Sequence, residues 1–190
     1  MKIWNEVWDY VKMIIIVVVV VLVINNVVLI NAKIPSESME NTIMTGDRIF
    51  GFRLAYGFNM NVFGNEISKK WKDPERFDIV IFKYPDDESQ LFIKRIIGLP
   101  GDKVEIIDGK VYINDKELKS DVYGITDYID YPGIAEEPIT LGDDEYFCLG
   151  DNRPVSQDSR YEEVGPVKRS IIVGKVWIRI WPLTKFGKVS

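Results

Sequence analysis

Residues 13–30 form the most apolar segment of the chain, in which sixteen of the eighteen residues are apolar and none is charged. An α-helix of this length is roughly 27 Å long, close to the hydrocarbon thickness of a bilayer. A buried core helix would carry polar residues on one face, and a cleaved signal peptide would have a shorter apolar region and small residues at the cut. The pattern therefore predicts an uncleaved transmembrane helix over residues 13–32.

The distribution of lysines around this segment indicates its orientation. Lys2 and Lys12 precede it and Lys33 follows it. Because positively charged residues favour the cytoplasmic side of a membrane, we expect residues 1–12 to be a short cytoplasmic segment. Residues 33–190 would then form a domain on the outer face of the membrane.

Beyond residue 33, short runs of β-branched and aromatic residues alternate with turn residues, and no long helical period appears. The pattern predicts a mainly β domain of antiparallel sheets. Asp108-Gly109, between two of the runs, predicts a hairpin. The predicted strands are Arg48–Arg53, Phe77–Tyr84, Gln90–Ile97, Lys103–Ile107, Lys110–Ile113, Glu145–Leu149 and Ile171–Ile180.

Two segments fit this pattern poorly. Residues 54–75 contain several aromatic and apolar residues followed by Lys69, Lys70 and Lys72. They are either an ordinary loop with a few buried aromatics or an apolar hairpin, over residues 54–63, that dips into the bilayer. Residues 120–144 are acidic and contain Pro and Gly, which indicates a surface excursion.

Composition removes several kinds of chemistry. The chain has no His and one Cys, which excludes a Ser-His-Asp triad, a Cys-His pair, a His-ligated metal and an internal disulfide. A net charge of −5 argues against binding to a nucleic-acid backbone. We expect no metal and no cofactor, and any acid–base catalysis would fall to Lys, Asp, Glu or Tyr.

The segment Ile34-Pro35-Ser36-Glu37-Ser38-Met39 offers a nucleophile. Pro35 biases it towards extended geometry, in which residues two apart face the same side. Ser36 and Ser38 would then share a side, so that one hydroxyl attacks a carbonyl while the other donates a hydrogen bond to the developing oxyanion. Serines also cap turns in most proteins, so this pattern alone does not establish a site.

Without His, a serine nucleophile needs another base, and a neutral lysine amine is the alternative. An exposed lysine has a pKa near 10.4, but burial lowers that pKa. Lys94 lies in an apolar predicted strand, where Phe92 and Ile96 share its face. The other interpretation is an edge-strand lysine whose amine reaches water.

A polar loop, Gly150–Arg160, follows the predicted strand that ends at Leu149. It is either a plain surface loop or a support for the site. In the second case Asp158 and Arg160 would pair, and the Ser156 hydroxyl would orient an amine.

Taken together, these motifs resemble the bacterial type I signal peptidases (leader peptidases) with a single anchor, and the resemblance covers nearly the whole chain. Two departures are Asn41, where the family often has Pro, and Phe77, where it often has Gly. The motifs that carry the resemblance are Pro35–Met39 with Thr42, Gly46–Arg48, Phe77–Val80 to Tyr84-Pro85, Lys94–Asp102 and Gly150–Arg160.

The resemblance implies a role for each matching residue. Ser38 would be the nucleophile and Lys94 the general base, with an oxyanion hole formed by the Ser36 hydroxyl and the Ser38 backbone N–H. Ser156 would hydrogen-bond the lysine amine, and a salt bridge between Asp158 and Arg160 would support the site. From the sequence we add Ile34 and Met39, which flank the serines, as candidates for shallow substrate pockets.

The implied function is removal of signal peptides from exported preproteins by a serine endopeptidase of the bacterial cell membrane, cutting after small residues. The expected partners are preprotein signal peptides and the lipid bilayer, with the secretion translocon as a further candidate. Two other interpretations stay open: a catalytically inactive, membrane-tethered β module that binds secreted proteins or pilus components, and a Ser/Lys regulator that cleaves itself.

Overall fold

A computed structural model describes residues 2–62, 65–126 and 128–189 of the 190-residue chain. Helix α1 spans Lys2–Val23 and continues into a π-helical turn, Ile24–Val28. Among the described residues, no helix is both long and apolar enough to span a membrane.

Fourteen strands follow within the described residues. They are β1 (Leu29–Lys33), β2 (Arg48–Phe52), β3 (Gly57–Val62), β4 (Asn65–Lys70), β5 (Ile79–Tyr84), β6 (Asp87–Gly98), β7 (Lys103–Ile107), β8 (Lys110–Ile113), β9 (Lys116–Glu117), β10 (Ile139–Thr140), β11 (Glu145–Leu149), β12 (Val167–Lys168), β13 (Ile172–Trp181) and β14 (Gly187–Lys188). Short 3-10 turns at Arg53–Ala55, Gly133–Glu136, Arg169–Ile171 and Leu183–Lys185 connect some of them.

The main sheet has the order β1-β2-β13-β5-β6-β11-β12, with β14 paired to β13. A second sheet has the order β10-β7-β8-β9, and β3 and β4 form a separate two-stranded hairpin. Every pairing is antiparallel, as the sequence predicts. The domain is therefore mainly β.

The seven predicted strands are confirmed, and three of them have the predicted bounds. The predicted hairpin at Asp108-Gly109 is also confirmed. Both residues have positive φ, 46° and 73°, which is the geometry of a two-residue type I′ turn.

The prediction of a helix over residues 13–32 was wrong at the C-terminal end of that range. The helical backbone stops at Val28, and Leu29–Lys33 is strand β1, which pairs with β2 in register from Leu29↔Phe52 to Lys33↔Arg48. The apolar run is thus shared by a helix and the edge of the sheet. A run of apolar residues looks the same in either structure when one face of the strand is buried.

The segment 120–144 does more than cover the surface. Ile129, Ala135 and Leu141 are buried and belong to a hydrophobic cluster with Val104, Val111 and Phe147. The prediction of a surface excursion was wrong for these side chains. It relied on the acidic composition of the whole segment, which gave no weight to the few apolar residues within it.

Residues 54–75 contain the hairpin β3–β4, so the backbone is not an irregular loop. Trp71 is half exposed and its ring lies 6.0 Å from that of Phe58, centroid to centroid. Phe63, the last residue of the segment 54–63 that was predicted as a possible membrane hairpin, lies outside the described residues.

Candidate active site

The two serines lie on a short segment that follows strand β1 and lines a cleft in the surface of the domain. Ile34 donates a backbone hydrogen bond to the Asp47 carbonyl (2.9 Å) and accepts one from Gly46 (2.9 Å), which fixes the start of this segment. Ser36 is exposed and Ser38 partly buried. Their Oγ atoms are 3.5 Å apart, so both hydroxyls face the same side as predicted. The predicted extended geometry was wrong, because the backbone bends at Ser36 and begins a turn at Ser38.

Lys94 approaches Ser38 from β6, which lies between β5 and β11 in the main sheet. The Lys94 Nζ is 2.8 Å from the Ser38 Oγ, and the lysine is only 4% exposed. The nearby Phe92 ring centroid is 5.2 Å from the amine. The lysine therefore does not reach water from a sheet edge, and the alternative interpretation of this residue was wrong.

Burial lowers the pKa of Lys94 from 10.5 to about 8. The negative charges of Asp158 and Asp151 oppose this change, and the positive charge of Arg160 adds to it. At pH 7 a pKa of about 8 leaves about one amine in ten neutral, against fewer than about one in a thousand at the ordinary value. The amine can therefore accept a proton near neutral pH.

The loop after β11 holds the segment that carries Ser38. The Asn152 backbone N–H donates to the Ser38 carbonyl (3.1 Å), and its side-chain Nδ2 donates to the Glu37 carbonyl (3.1 Å). Gly150 makes this close approach possible: a Cβ there would lie 2.4 Å from the Ser38 carbonyl oxygen and 2.1 Å from the Ser156 Oγ. Any larger residue at position 150 would push the loop away from Ser38.

Asp158 and Arg160 form a buried, two-pronged ion pair with distances of 2.8 and 3.0 Å. Asp158 also accepts the Gly150 N–H (3.0 Å). The Arg160 guanidinium donates to the carbonyls of Arg153 (2.7 Å) and Ser156 (3.2 Å). The pair therefore connects the two ends of the loop to its middle. Both charges also lie near enough to Lys94 to influence its pKa.

Ser156 does not make the hydrogen bond that the resemblance implies. It is fully buried, but within the part of the chain that the structure describes its Oγ has no hydrogen-bond partner. The Lys94 amine is directed at Ser38 instead, and the Ser156 Oγ lies against the Gly150 backbone.

A cleft of about 530 Å³ opens beside the two serines. Ile34 and Met39 line it, although both are more than nine-tenths buried and also pack in a hydrophobic cluster. Sequence reasoning missed other lining residues, among them Ile81, Leu91 and Gln157. No group of three metal-binding side chains occurs in the described ranges.

The geometry provides a hydroxyl, an adjacent amine whose pKa is lowered by burial, and a second hydroxyl at the edge of an apolar cleft. The Ser38 backbone N–H makes no hydrogen bond to any of the described residues, so it is free to donate. This set of groups suits acyl transfer by a serine nucleophile.

Comparison with known proteins fits this chemistry. A family model described as signal peptidase, peptidase S26, matches residues 7–181. The chain belongs to this family. This match, together with the signal peptidase I relatives below, confirms the predicted resemblance to type I signal peptidases.

Curated relatives include the probable signal peptidase I-2 of Synechocystis sp., 37% identical over 163 residues, which cover 83% of this chain and 65% of the relative. The signal peptidase I of Rickettsia typhi is 33% identical over 194 residues, covering 80% and 71%. The chain thus spans about two thirds of the length of these relatives. A crystal structure of a signal peptidase I from Enterococcus faecalis is 37% identical, with a TM-score of 0.45, covering 55% of this chain and 97% of that one.

A second buried ion pair is formed by Arg95, the residue after Lys94, and it was not predicted from the sequence. Arg95 donates to Asp151 through two nitrogens, at 2.9 and 2.8 Å, and both side chains are almost fully buried. The Arg95 guanidinium also stacks on the Tyr123 ring, 3.6 Å from its centroid. Arg95 itself could have indicated this ion pair in the sequence, because it lies between Ile93 and Ile97 on an apolar face of the strand. A cation that is buried there requires a buried carboxylate as its partner.

Both departures from the family pattern have positive φ, 88° at Asn41 and 71° at Phe77. Pro cannot adopt such an angle, whereas Gly adopts it freely. Phe77 tolerates it because its carbonyl accepts a hydrogen bond from Arg95 (3.0 Å) and its ring packs on Tyr123, 5.2 Å between centroids.

Proposed function

We propose that this protein is a membrane-anchored serine endopeptidase that removes signal peptides from exported preproteins and cuts after small residues. The observation that carries the proposal is the 2.8 Å contact between the Lys94 Nζ and the Ser38 Oγ in a buried setting. Membership in the signal peptidase family supports the substrate class.

The reaction is an acyl transfer in two steps. Neutral Lys94 takes the proton of Ser38 as the Ser38 Oγ attacks the scissile carbonyl carbon. The oxyanion receives hydrogen bonds from the Ser36 hydroxyl and the Ser38 backbone N–H. The tetrahedral species collapses, the C–N bond breaks, and the Lys94 ammonium gives its proton to the leaving amine.

The remaining ester is then hydrolysed. Lys94, neutral again, takes a proton from a water molecule that attacks the ester carbonyl. The ester C–O bond breaks, the new carboxyl end leaves, and Ser38 recovers its proton. The apolar lining of the cleft by Ile34, Met39 and Ile81 supports a preference for small apolar side chains next to the cut.

We also propose that the N-terminal segment anchors the chain, with residues 1–12 cytoplasmic, the helical residues 13–28 as the anchor, and the β domain, from strand β1 onward, on the outer face. The support is that every side chain from Met13 to Ile24 is at least 40% exposed, so the apolar helix does not pack on the β domain. Trp4, Trp8 and Tyr10 are exposed at its start, where interfacial aromatics are expected. A signal peptide in the same bilayer would be confined near Ser38, which raises its effective concentration.

The test is mass spectrometry of the products from a purified preprotein, with the full chain reconstituted in lipid vesicles. We expect a single cut at the end of the signal peptide, and none with Ser38→Ala, Lys94→Ala or Lys94→Arg, because a guanidinium stays protonated. Lys110→Ala, which removes an exposed lysine of β8, is the matched control and should retain activity.

Each alternative function has its own outcome in this experiment. Full activity of Lys94→Ala would reject the Ser/Lys mechanism. A folded wild type that binds preproteins without cutting them would indicate the inactive binding module. Fragments of this chain itself, with intact preprotein, would indicate the self-cleaving regulator.

A further inference from the structure

A second cleft, of about 450 Å³, opens where the N-terminal segment meets the β domain. Its walls come from the π-helical turn, the 3-10 turn after β2, the hairpin β3–β4 and the start of β13. The residues that line it include five cations, Arg53, Lys69, Lys70, Lys83 and Arg169, and one acid, Asp144. This density of positive charge is unexpected in a chain whose net charge is −5.

Most of these cations lack a strong ion pair among the described residues. Lys69 and Lys70 have none, and Arg53 donates only to the Leu29 carbonyl (3.3 Å). Lys83 is paired with Glu88 at 2.7 Å. Cations gathered without matching carboxylates favour an anionic ligand.

Arg169 is the most informative of these residues. It is 9% exposed, and its Nε is buried without a hydrogen-bond partner in the described part of the chain. One Nη donates to the Tyr56 carbonyl (3.0 Å), and the nearest carboxylate, the exposed Asp73, lies 3.8 Å from the Nε. A buried guanidinium N–H normally has a partner, and the planar fork of arginine suits phosphate.

The rim of the cleft is apolar on the side of the N-terminal segment. Val27, Leu54 and Phe58 contribute to its lining, and Val27 belongs to the apolar run that begins at Met13. The exposed Trp71 follows Lys70 directly. A phosphate among the cations would therefore have apolar surface beside it for the rest of a lipid.

We propose that this cleft binds the phosphodiester headgroup of an anionic membrane lipid. The inference rests on the proposed membrane attachment and adds a fixed lipid contact on the β domain. Lipid bound there would hold the domain against the bilayer by the β3–β4 hairpin as well as by the anchor.

The experiment uses the full chain in a neutral detergent. Phosphatidylglycerol, phosphatidylcholine, glycerol 3-phosphate and inorganic phosphate are added separately, and the thermal midpoint is followed against concentration, since a ligand of the folded state raises it. We expect phosphatidylglycerol to raise the midpoint in a saturable way and phosphatidylcholine to have no effect. Equal stabilisation by the two soluble phosphates would show a free-anion site and overturn the lipid assignment.

The variant K69Q/K70Q removes two cations of the cleft, and K116Q/K119Q removes two exposed lysines elsewhere as the matched control. Each lysine near an anionic surface contributes about fivefold, so we expect about 25-fold weaker phosphatidylglycerol binding in K69Q/K70Q and wild-type binding in the control. Equal weakening in both variants, or none in either, would overturn the proposal.

Flotation of the full chain with pure phosphatidylcholine vesicles separates this inference from the proposed anchor. A chain that floats with these vesicles, but whose thermal midpoint phosphatidylglycerol does not raise, lacks the headgroup site and keeps the anchor. A chain that does not float at all contradicts the anchor itself.

Discussion

Replacing Phe92 with alanine should raise the pKa of Lys94 and move the pH dependence of peptide cleavage to higher pH. The Phe92 ring centroid lies 5.2 Å from the Lys94 amine and shares its face of β6. Burial is the main reason that the pKa of Lys94 is lowered from 10.5 to about 8. Water entering the space left by the ring would stabilise the charged amine.

The magnitude follows from the neutral fraction of the amine. With a pKa of about 8, kcat/KM of the wild type at pH 7 should be about a tenth of its plateau, and at pH 8 about half. Every further unit by which the pKa rises lowers activity at pH 7 about tenfold. The ordinary lysine value of 10.5 sets the upper limit of this change.

The assay is kcat/KM for a fluorogenic peptide with a small residue before the cut, measured from pH 6 to pH 10.5 for wild type, Phe92→Ala and Leu91→Ala. Leu91 also lines the cleft but points to the opposite face of β6 from Phe92 and Lys94, so it controls for altered substrate contacts. The position of the rising limb reports the free-enzyme pKa, separately from weaker binding.

Two results would refute this reasoning. A wild-type limb near 10.5 would show that Lys94 is not a neutral base near pH 7. An unchanged limb in Phe92→Ala, with the variant folded, would show that the ring does not exclude water from the amine.

Three further predictions concern single side chains. Ser36→Ala should lower kcat about 10²- to 10³-fold with little change in KM, as loss of one oxyanion donor does, whereas the exposed-serine control Ser120→Ala should not. Lys94→Met should abolish cleavage but raise the free energy of unfolding by about 3 kcal/mol at pH 7, because in the wild type the unfolded state binds the Lys94 proton more tightly than the folded state does. Urea titrations should show this difference between variant and wild type shrinking as the pH rises from about 8 to 10.5. Ser156→Ala removes a buried hydroxyl that has no hydrogen-bond partner among the described residues, so it should stabilise the fold by about 1 kcal/mol and leave kcat/KM within about twofold. A large loss of activity would instead support the contact with Lys94 that the resemblance implies.

Local pattern was sufficient to predict seven of the fourteen strands of the described residues, including the longest, β6 and β13. The strands around Lys94 and around Asp108-Gly109 follow alternation and turn chemistry, both of which act over a few residues. The boundary between helix α1 and strand β1 could not be found in this way. It depends on hydrogen bonds from Leu29–Lys33 to β2, which begins fifteen residues further along the chain.

The site shows the same division between local and long-range information. Ser36, Ser38, Lys94 and the pairing of Asp158 with Arg160 two residues later could be proposed from residue types and spacing, but the distant partner of Arg95 could not. Asp151 lies 56 residues from Arg95. The position of the Ser156 hydroxyl, without a partner in the described part of the chain, depends on how the loop packs against Gly150. Such pairings are set by tertiary packing.

The hydrogen bonds from Asn152 to the carbonyls of Glu37 and Ser38 have a consequence for thermal unfolding. The reactive serine is tethered to a loop that is itself fastened by the Asp158–Arg160 ion pair. Releasing the serine from this position would require breaking the two Asn152 hydrogen bonds and disturbing the loop that the ion pair holds. Heat should therefore remove catalysis and tertiary structure in one event, with no folded but inert species in between.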